Sequence, residues 1–234
     1  MSQTIVVAGH AGTAGTPVTS LANSAYNQKA GNCIVVICQS VPSGIGGASA
    51  ITDTAGNTFT QIFGSDIADA NGGFANAFYC KNCKGNASNV TTWGSPWAGT
   101  TYGTFTVYDT SGADLASPLD IALSAVTAST SPAITGITSA IAHEAFISWV
   151  SQDQAALASV TVPSSPIAFT ENGEGIINAY SCGAYAVVTA LQSNITLTWA
   201  QSIANGIMMV LSFKQAAPPV THTSRTRNRV RTRT

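Results

Sequence analysis

The sequence predicts an all-β protein, an antiparallel sandwich of two sheets. Its strand-like segments are short, rich in β-branched and aromatic residues, and separated by clusters of Gly, Ser, Asn and Pro, which is typical of sandwiches and barrels. No segment carries a convincing amphipathic helical pattern, and no repeat of fixed period indicates a solenoid or a propeller. We therefore expect two sheets packed face to face.

About a dozen strands follow one another along the chain. The clearest is residues 33–38, a continuous run of β-branched residues suited to burial on both faces. Turn residues predict two hairpins, one over residues 50–62 and one that pairs residues 75–80 with 89–93. Residues 143–150 have both strand and helix character, and their aromatic and β-branched content favours a strand. The remaining predicted strands are 5–7, 103–108, 121–126, 167–171, 176–188, 195–199 and 206–213.

Charge is scarce in this chain. Only 8% of its residues are Asp, Glu, Lys or Arg, against about 25% in a typical protein, whereas 45% are hydrophobic. Disordered chains combine low hydrophobicity with high net charge, and this chain has neither. A surface so poor in charge is weakly protected against association, which suggests that partners cover much of it.

The N-terminal residues and the cysteines bear on the compartment. The first ten residues lack a basic region and a long apolar run, so we expect no signal peptide. No apolar stretch approaches the ~18 residues of a membrane span, so we expect no membrane partner and synthesis in a cytoplasm. The five cysteines, at positions 33, 38, 80, 83 and 182, lie in apolar contexts, which predicts reduced, buried thiols.

The C-terminal segment contains every arginine of the protein. Residues 1–224 hold four lysines and all ten carboxylates, a net charge of −6, whereas the last ten residues carry +5. Pro218 and Pro219 interrupt the closing strand, since proline cannot donate to a ladder. We therefore predict a sandwich domain over residues 1–217 and an extended arm over 218–234. The arm's arginines are Arg225, Arg227, Arg229, Arg231 and Arg233.

In an extended chain the five arginines point to one side and the intervening residues to the other. Three interpretations of this stripe stay open. The arm is a flexible solubility tail, or it neutralises phosphates of a nucleic acid, or it adds as a strand to a neighbouring subunit and meets carboxylates there. We favour docking on a neighbour, with nucleic acid as an alternative partner.

Two further groups of residues are candidates for binding. Trp97 and Tyr102 lie in a Gly/Ser/Thr-rich segment and would form a platform for a sugar ring if exposed, although covering a sheet edge is the more frequent role of such aromatics. Cys80 and Cys83 make half of a zinc knuckle or a disulfide. Residues 33 and 38 point to opposite faces of one strand, so they do not complete a metal site.

Carboxylates and histidines offer weaker candidates. His143 and Glu144 are the only pair suited to general acid–base work, and no nucleophile motif accompanies them. Asp53 with Asn57, and Asp66 with Asp69, place oxygens for a hard cation, yet such residues in turns more often bind local backbone amides. We expect no metal site, no cofactor and no enzymatic activity.

The order of these motifs resembles a known family. The run Ile51-Thr-Asp-Thr-Ala-Gly-Asn-Thr-Phe-Thr60, the segment Ala77-Phe-Tyr-Cys-Lys-Asn-Cys-Lys-Gly85 and the close from Trp199 through 206–214 are similar to concanavalin-like jelly-roll modules of bacteriophage virion and bacterial surface proteins. The resemblance covers about residues 30–215. It implies a jelly roll used for display, adhesion or sugar binding and identifies no active site. Cys80, Cys83 and the arginine arm depart from the family's pattern.

These observations together favour a non-enzymatic structural protein of a virus particle, such as a phage capsid decoration, head-fibre or tail-associated protein. Its expected partners are other virion proteins and copies of itself, and its expected location is the virion. A carbohydrate-binding or adhesion module is the first alternative. A coat protein whose arginine arm contacts nucleic acid is the second.

Overall fold

A computed structural model describes residues 2–14, 19–41, 44–94, 102–151, 160–171, 181–201 and 206–217. These residues form strands and one 3₁₀ turn at Ala48–Ala50. The strands in chain order are β1 (Thr4–Ala14), β2 (Ser20–Ala22), β3 (Tyr26–Gln28), β4 (Cys33–Val41), β5 (Ile51–Asp53), β6 (Thr60–Gln61), β7 (Ile67–Ala68), β8 (Phe74–Cys80), β9 (Asn86–Asn89), β10 (Thr91–Gly94), β11 (Tyr102–Ser111), β12 (Leu119–Thr127), β13 (Ala133–Ile137), β14 (Glu144–Ser151), β15 (Val160–Thr161), β16 (Thr170–Glu171), β17 (Ser181–Val188), β18 (Ile195–Thr198), β19 (Ala200–Gln201) and β20 (Gly206–Lys214).

Two large antiparallel sheets dominate the molecule. The first large sheet has the order β1-β11-β4-β8-β6, with β7 also paired to β8. The second large sheet has the order β12-β20-β14-β17-β16. Two small sheets, β2-β10-β5 and β13-β18, and the pairs β3-β9 and β15-β19 complete the architecture. The prediction of an all-β, antiparallel protein is confirmed.

The large sheets pack against each other across a central core. This core takes buried side chains from both sheets, among them Val35 and Tyr108 from the first and Ile147, Trp149 and Leu211 from the second. Because successive side chains of a strand point to opposite faces, the alternate residues of the same strands face outward. Strands β4, β14 and β20 are therefore apolar on both faces and buried along almost their whole length.

Each large sheet is covered on its outer face by one of the small sheets. Trp93 of β10 packs with Ile34 and Phe78 of the first large sheet, and its indole nitrogen donates to the Ile45 carbonyl over 3.0 Å. In the second half, Trp199 directly follows β18 and donates to the Ser148 hydroxyl over 2.7 Å. Both indoles are fully buried with their N–H groups satisfied, so each outer core is packed around a tryptophan.

The two halves of the chain have the same topology. In residues 4–111 the first long strand pairs with the last, the last with the second, and the second with the third, giving β1-β11-β4-β8. In residues 119–214 the order β12-β20-β14-β17 repeats this arrangement, and a two-residue strand, β6 or β16, follows in each. The small sheets also correspond, because β2 pairs with β10 as β13 pairs with β18.

The register of the pairing repeats as well. In each half an aliphatic residue on the second long strand, β4 or β14, faces the central core. On one side it pairs with a residue of the last strand, β11 or β20, and on the other side with a tyrosine of the third long strand, β8 or β17. The matched residues are Val35, Tyr108 and Tyr79 in the first half and Ile147, Leu211 and Tyr185 in the second. Each tyrosine then pairs with a Thr that follows a buried Phe, in Phe59-Thr60 and Phe169-Thr170. The chain is thus a structural duplication, which the search for a repeat of fixed period did not find.

Both predicted hairpins are wrong. Strands β5 and β6 lie in different sheets, since β5 pairs with β10 and β6 pairs with β8. Likewise β8 and β10 do not pair with each other but with β4 and with β2 and β5. The turns occur where the sequence predicts them, but each of these turns carries the chain from one sheet to another.

Most single strands agree with the sequence prediction. Of the predicted strand 143–150, residues 144–150 lie in β14, as their aromatic and β-branched content predicts, and the closing strand is Gly206–Lys214. Residues 167–171 yield only the two-residue strand β16, and residues 172–180 of the predicted strand 176–188 lie outside the described residues. In the described ranges no helix has the length and apolar character of a membrane span.

Candidate functional site

Most of the residues that the sequence predicts to bind a neighbouring subunit or a sugar lie outside the described part of the chain. The five arginines of the arm and Trp97 lie outside the described residues. The backbone of Tyr102 opens β11, where it pairs with Ala14 and Val41. The arm therefore remains a prediction from the sequence, as does the sugar platform.

The structure does describe the residues that directly precede the predicted arm, up to residue 217. After β20 the chain is tied to the connector between the two halves, residues 112–118. The Lys214 amide donates to the Pro118 carbonyl over 2.7 Å, and the Lys214 carbonyl accepts from the Asp114 amide over 2.9 Å. The Ala216 amide donates to the Gly112 carbonyl over 2.8 Å. Lys214 and Ala216, which precede the predicted arm and are called its root below, are thus held by backbone hydrogen bonds at the junction of the halves.

The N-terminal residues contact the same junction. The side-chain amide of Gln3 donates to the Phe213 carbonyl over 2.9 Å. Nearby, the exposed carboxylate of Asp114 accepts from the amides of Ala116 and Ser117, and these hydrogen bonds lower its pKa. The connector therefore presents a negative charge at Asp114, whose backbone amide is bonded to the Lys214 carbonyl.

Asp53 and Asn57, considered above as cation ligands, form a hydrogen-bonded turn. One carboxylate oxygen of Asp53 accepts from the Asn57 amide over 2.9 Å, and the other accepts from the side-chain amides of Asn57 and Asn89 over 2.7 and 3.0 Å. Asn89 also donates to the Tyr26 hydroxyl over 3.1 Å. Because both carboxylate oxygens accept N–H donors, the local structural role predicted as the more frequent one is the role observed.

Asp66 and Asp69 have the same kind of role. Asp66 accepts from the Ile45 amide over 2.7 Å and from the Asn76 side chain over 3.0 Å. Asp69 accepts from the amides of Asn71 and Gly73. Among the described residues no group of three or more His, Cys, Asp or Glu side chains is placed to hold a metal ion.

A buried carboxyl group with a second, partly exposed carboxyl beside it, which the sequence did not suggest, lies at one end of the second large sheet. Glu144, the first residue of β14, is completely buried, and neither of its oxygens has a hydrogen-bond partner of normal geometry in the described part of the chain. Burial, and then its interaction with Asp120 of β12, raise the pKa of Glu144 to about 7. The Ser212 hydroxyl of β20 faces the same carboxyl.

The first half has an acid at the matching place on a different strand. By register, Asn32 corresponds to Glu144 and Asp109 corresponds to Ser212. The acid therefore lies on the last strand, β11, in the first half and on the second long strand, β14, in the second half. Asp109 accepts from the Asn32 side chain over 2.7 Å, and burial raises its pKa. Asp109 thus has a donor that Glu144 lacks.

His143 and Glu144, adjacent in the sequence, differ in burial and in backbone conformation. His143 is exposed and has a left-handed backbone with φ 65°, whereas Glu144 is buried against the outer core. The two side chains therefore occupy different environments.

The cysteines are all buried and free, as predicted. Cys33 faces the central core and Cys38 the outer core, so these two residues do point to opposite faces of β4. Cys80, at the end of β8, and Cys83, in the following turn, are brought together: their sulfurs are 2.6 Å apart. The spacing in the sequence was sufficient to predict this proximity.

Comparisons with protein-family models, with curated proteins and with solved structures found no match to this chain.

Proposed function

We propose that this chain is a non-enzymatic structural protein of a virus particle, a phage capsid decoration, head-fibre or tail-associated protein, that attaches to neighbouring subunits through its C-terminal arm. The observation that carries the proposal is the separation of charge. All five arginines lie in the last ten residues, and all ten carboxylates lie before them. A cationic arm on an acidic body is complementary to a second copy of the same body.

The strand order of each half supports a jelly roll. In the first half we number eight strands from one to eight along the chain: β1, β2, β4, β5, β6, β8, β10 and β11. One sheet then contains the first, last, third and sixth strands in that order, and a second sheet contains the second, seventh and fourth. Crossing between two sheets at successive connections is how jelly rolls are built, and they are frequent in viral capsid proteins. The fifth strand, β6, departs from this scheme by joining the large sheet.

The root of the arm supports attachment to a fixed acceptor. Lys214 and Ala216 are hydrogen-bonded to the connector, so the residues that precede the predicted arm are fixed on the body, which supports attachment in a defined orientation. An extended strand with arginines on one face fits the addition of a strand to a sheet, in which backbone hydrogen bonds supply affinity. Arginine also binds carboxylates in a bidentate manner, which lysine does not.

The proposal is tested by comparing the assembly state of four forms of the protein. Sedimentation velocity at low salt should show that the full chain forms assemblies and that the chain lacking residues 220–234 is a folded, soluble monomer. A full-length form with all five arginines changed to glutamine should behave as the truncated one, because it keeps the length and loses the charge. A five-lysine form should assemble more weakly than the arginine form.

Other probes distinguish the alternatives. Binding of a single-stranded oligonucleotide that the five-glutamine form loses, with no change in self-assembly, would favour a nucleic-acid coat protein. A glycan-array signal lost in Trp97→Ala and Tyr102→Ala at unchanged melting temperature would favour a sugar-binding module. Identical sedimentation of the full and truncated chains would refute anchoring by the arm.

A further inference from the structure

The turn after β8 holds a pair of thiols in contact. Cys80 and Cys83 are 4% and 2% exposed, and the short turn between them passes through Asn82, whose φ of 49° is a left-handed value that Asn tolerates. The thiol of Cys83 points at the sulfur of Cys80 over 2.6 Å and at its carbonyl over 3.1 Å. This separation exceeds an S–S bond by only about 0.5 Å.

The backbone on both sides of the pair is fixed by β4. Cys80 lies opposite Ile34 in the ladder of the first large sheet. The Cys83 amide donates to the Asn32 carbonyl, and its carbonyl accepts from the Gly31 amide, both over 2.9 Å. Neither cysteine therefore has to move its backbone far to bring the sulfurs to bonding distance.

The two thiols are chemically unequal. The hydrogen bond from the Cys83 thiol lowers the pKa of Cys80, and the same contact together with burial raises the pKa of Cys83. Cys80 is therefore the better nucleophile, since the thiolate is the reactive form. A third thiol, Cys33, faces the central core on the opposite side of β4 and is not aligned with the pair.

We propose that Cys80 and Cys83 are a peroxide-oxidisable dithiol that closes to an intrachain disulfide. The Cys80 thiolate attacks one oxygen of hydrogen peroxide, the O–O bond breaks, and the products are a sulfenic acid on Cys80 and, after protonation of the leaving hydroxide, one water. The sulfur of Cys83 then attacks the Cys80 sulfur. The sulfenic oxygen leaves as a second water with the thiol proton, so two thiols and one peroxide give one disulfide and two waters.

Access to the sulfurs is through the turn itself. Lys81, Asn82 and Lys84 are exposed, and Lys84 is held by hydrogen bonds to Asn57 and Gly56 of the neighbouring turn. Opening of this surface turn admits a molecule as small as peroxide. The disulfide would fix residues 80–84. These residues are hydrogen-bonded both to the Asp53–Asn57 turn and to the residues that precede β4, so oxidation should slow amide exchange at Cys83.

The test is mass spectrometry of the whole protein treated with hydrogen peroxide under native conditions. We expect the five free thiols to fall to three, and dithiothreitol to restore them. Digestion with trypsin and chymotrypsin locates the bond, because cleavage at Tyr79 and Lys81 isolates Cys80 from the other cysteines. The fragment carrying Cys80 should remain joined to Asn82-Cys83-Lys84, with a mass about 2 Da below the sum of the separate peptides.

Two variants provide controls. In Cys83→Ser the sulfenic acid on Cys80 has no thiol to attack it, so a dimedone adduct should accumulate on Cys80. Cys182→Ser removes another buried thiol and should leave the disulfide unchanged. If peroxide leaves five thiols in the native wild-type protein, or if the bond maps to Cys33 or Cys38, the proposal is wrong. The wild-type measurement decides this even where a variant fails to fold.

Discussion

Glu144 is a completely buried carboxyl group in an unfavourable electrostatic environment. A carboxyl group removed from water loses hydration, and the charged form loses most, so its pKa rises. Asp120 of β12 adds repulsion, His143 precedes Glu144 in the chain, and Lys214 of β20 lies opposite Glu144 in the ladder. Among the described residues neither of its oxygens has a hydrogen-bond partner of normal geometry, so the protonated form is the one best suited to this place.

Replacing Glu144 with glutamine should change how stability depends on pH. Because the pKa of Glu144 is about 7 in the folded state and near 4.5 without the fold, the folded protein binds this proton more tightly. The free energy of unfolding then falls as pH rises from about 4.5 to about 7, and the loss is complete above that range. We expect Glu144→Gln to be more stable than the wild type at pH 8, by about 1–3 kcal/mol, and to gain little at pH 4.5.

Urea unfolding at pH 4.5 and pH 8 measures this difference. Glu171→Gln is the matched control, since Glu171 is an exposed carboxyl at the end of the same sheet. It should leave the pH dependence unchanged. An equal slope in the wild type and in Glu144→Gln would show that Glu144 does not carry the effect.

At this scale the sequence indicates contacts that lie close along the chain. Cys80 and Cys83 are separated by one turn, so their spacing in the sequence was enough to predict that they lie close together. Glu144 and Asp120 belong to different strands, and they meet only because the bulge between Leu119 and Ile121 and the pairing with β20 place them together. No local pattern contains that information.

Strand β12 is an edge strand of the second large sheet. Among the described residues it pairs on one side only, with β20, and Asp120 is its single charged residue. Its Val126 is 51% exposed. Natural edge strands are usually protected by lysine, proline or bulges, because a free edge invites pairing with another chain. The one bulge of β12 lies at its opposite end.

A lysine on this edge should reduce association. We expect Val126→Lys to lower the concentration-dependent rise in weight-average mass seen by sedimentation equilibrium, because a charge at the edge opposes strand pairing. Its stability should change by no more than about 0.5 kcal/mol, as is usual for surface positions. Leu191→Lys adds the same charge at a more exposed site outside the strands and should leave association unchanged. Equal effects of the two lysines would attribute the change to net charge alone.

Strand type was predictable here and strand partners were not. Residues 33–38 are apolar at every position, which requires burial on both faces, and β4 is indeed central in its sheet. The turn at Asp53 to Asn57 was also recognisable from its residues. Turn chemistry, however, is local and does not state whether the next strand continues the same sheet. The hairpin over residues 50–62 failed for this reason.

The whole molecule is two copies of one topology joined face to face. Short similarities accompany the correspondence, such as Phe59-Thr60 with Phe169-Thr170. The loops between equivalent strands differ in length, so no single offset aligns the halves. The matching residues share a face and a register rather than an identity, as Val35 and Ile147 do. Duplication is therefore apparent in the strand order and faint in the sequence.

This architecture makes each half depend on the other. The central core draws Val35 and Tyr108 from the first half and Ile147 and Leu211 from the second, and the large sheets would expose these residues to water if separated. Burial of apolar side chains is worth about 1.5–3 kcal/mol for each large residue. By contrast, the two halves are linked covalently only through the connector, in which Leu115 is 49% exposed.

Cutting the connector should therefore leave the molecule intact. With a protease site inserted between Leu115 and Ala116, cleavage should give two fragments that co-elute in size-exclusion chromatography and separate only in denaturant. The central core still joins them, as do the hydrogen bonds from the Asp114 amide to the Lys214 carbonyl and from the Ala216 amide to the Gly112 carbonyl. Substituting Ile147 by Ala in the cleaved chain removes core contacts worth about 2–5 kcal/mol and should promote dissociation. Leu191→Ala, outside the core, is the control. Spontaneous separation of the wild-type fragments would mean that each half is stable without the shared core.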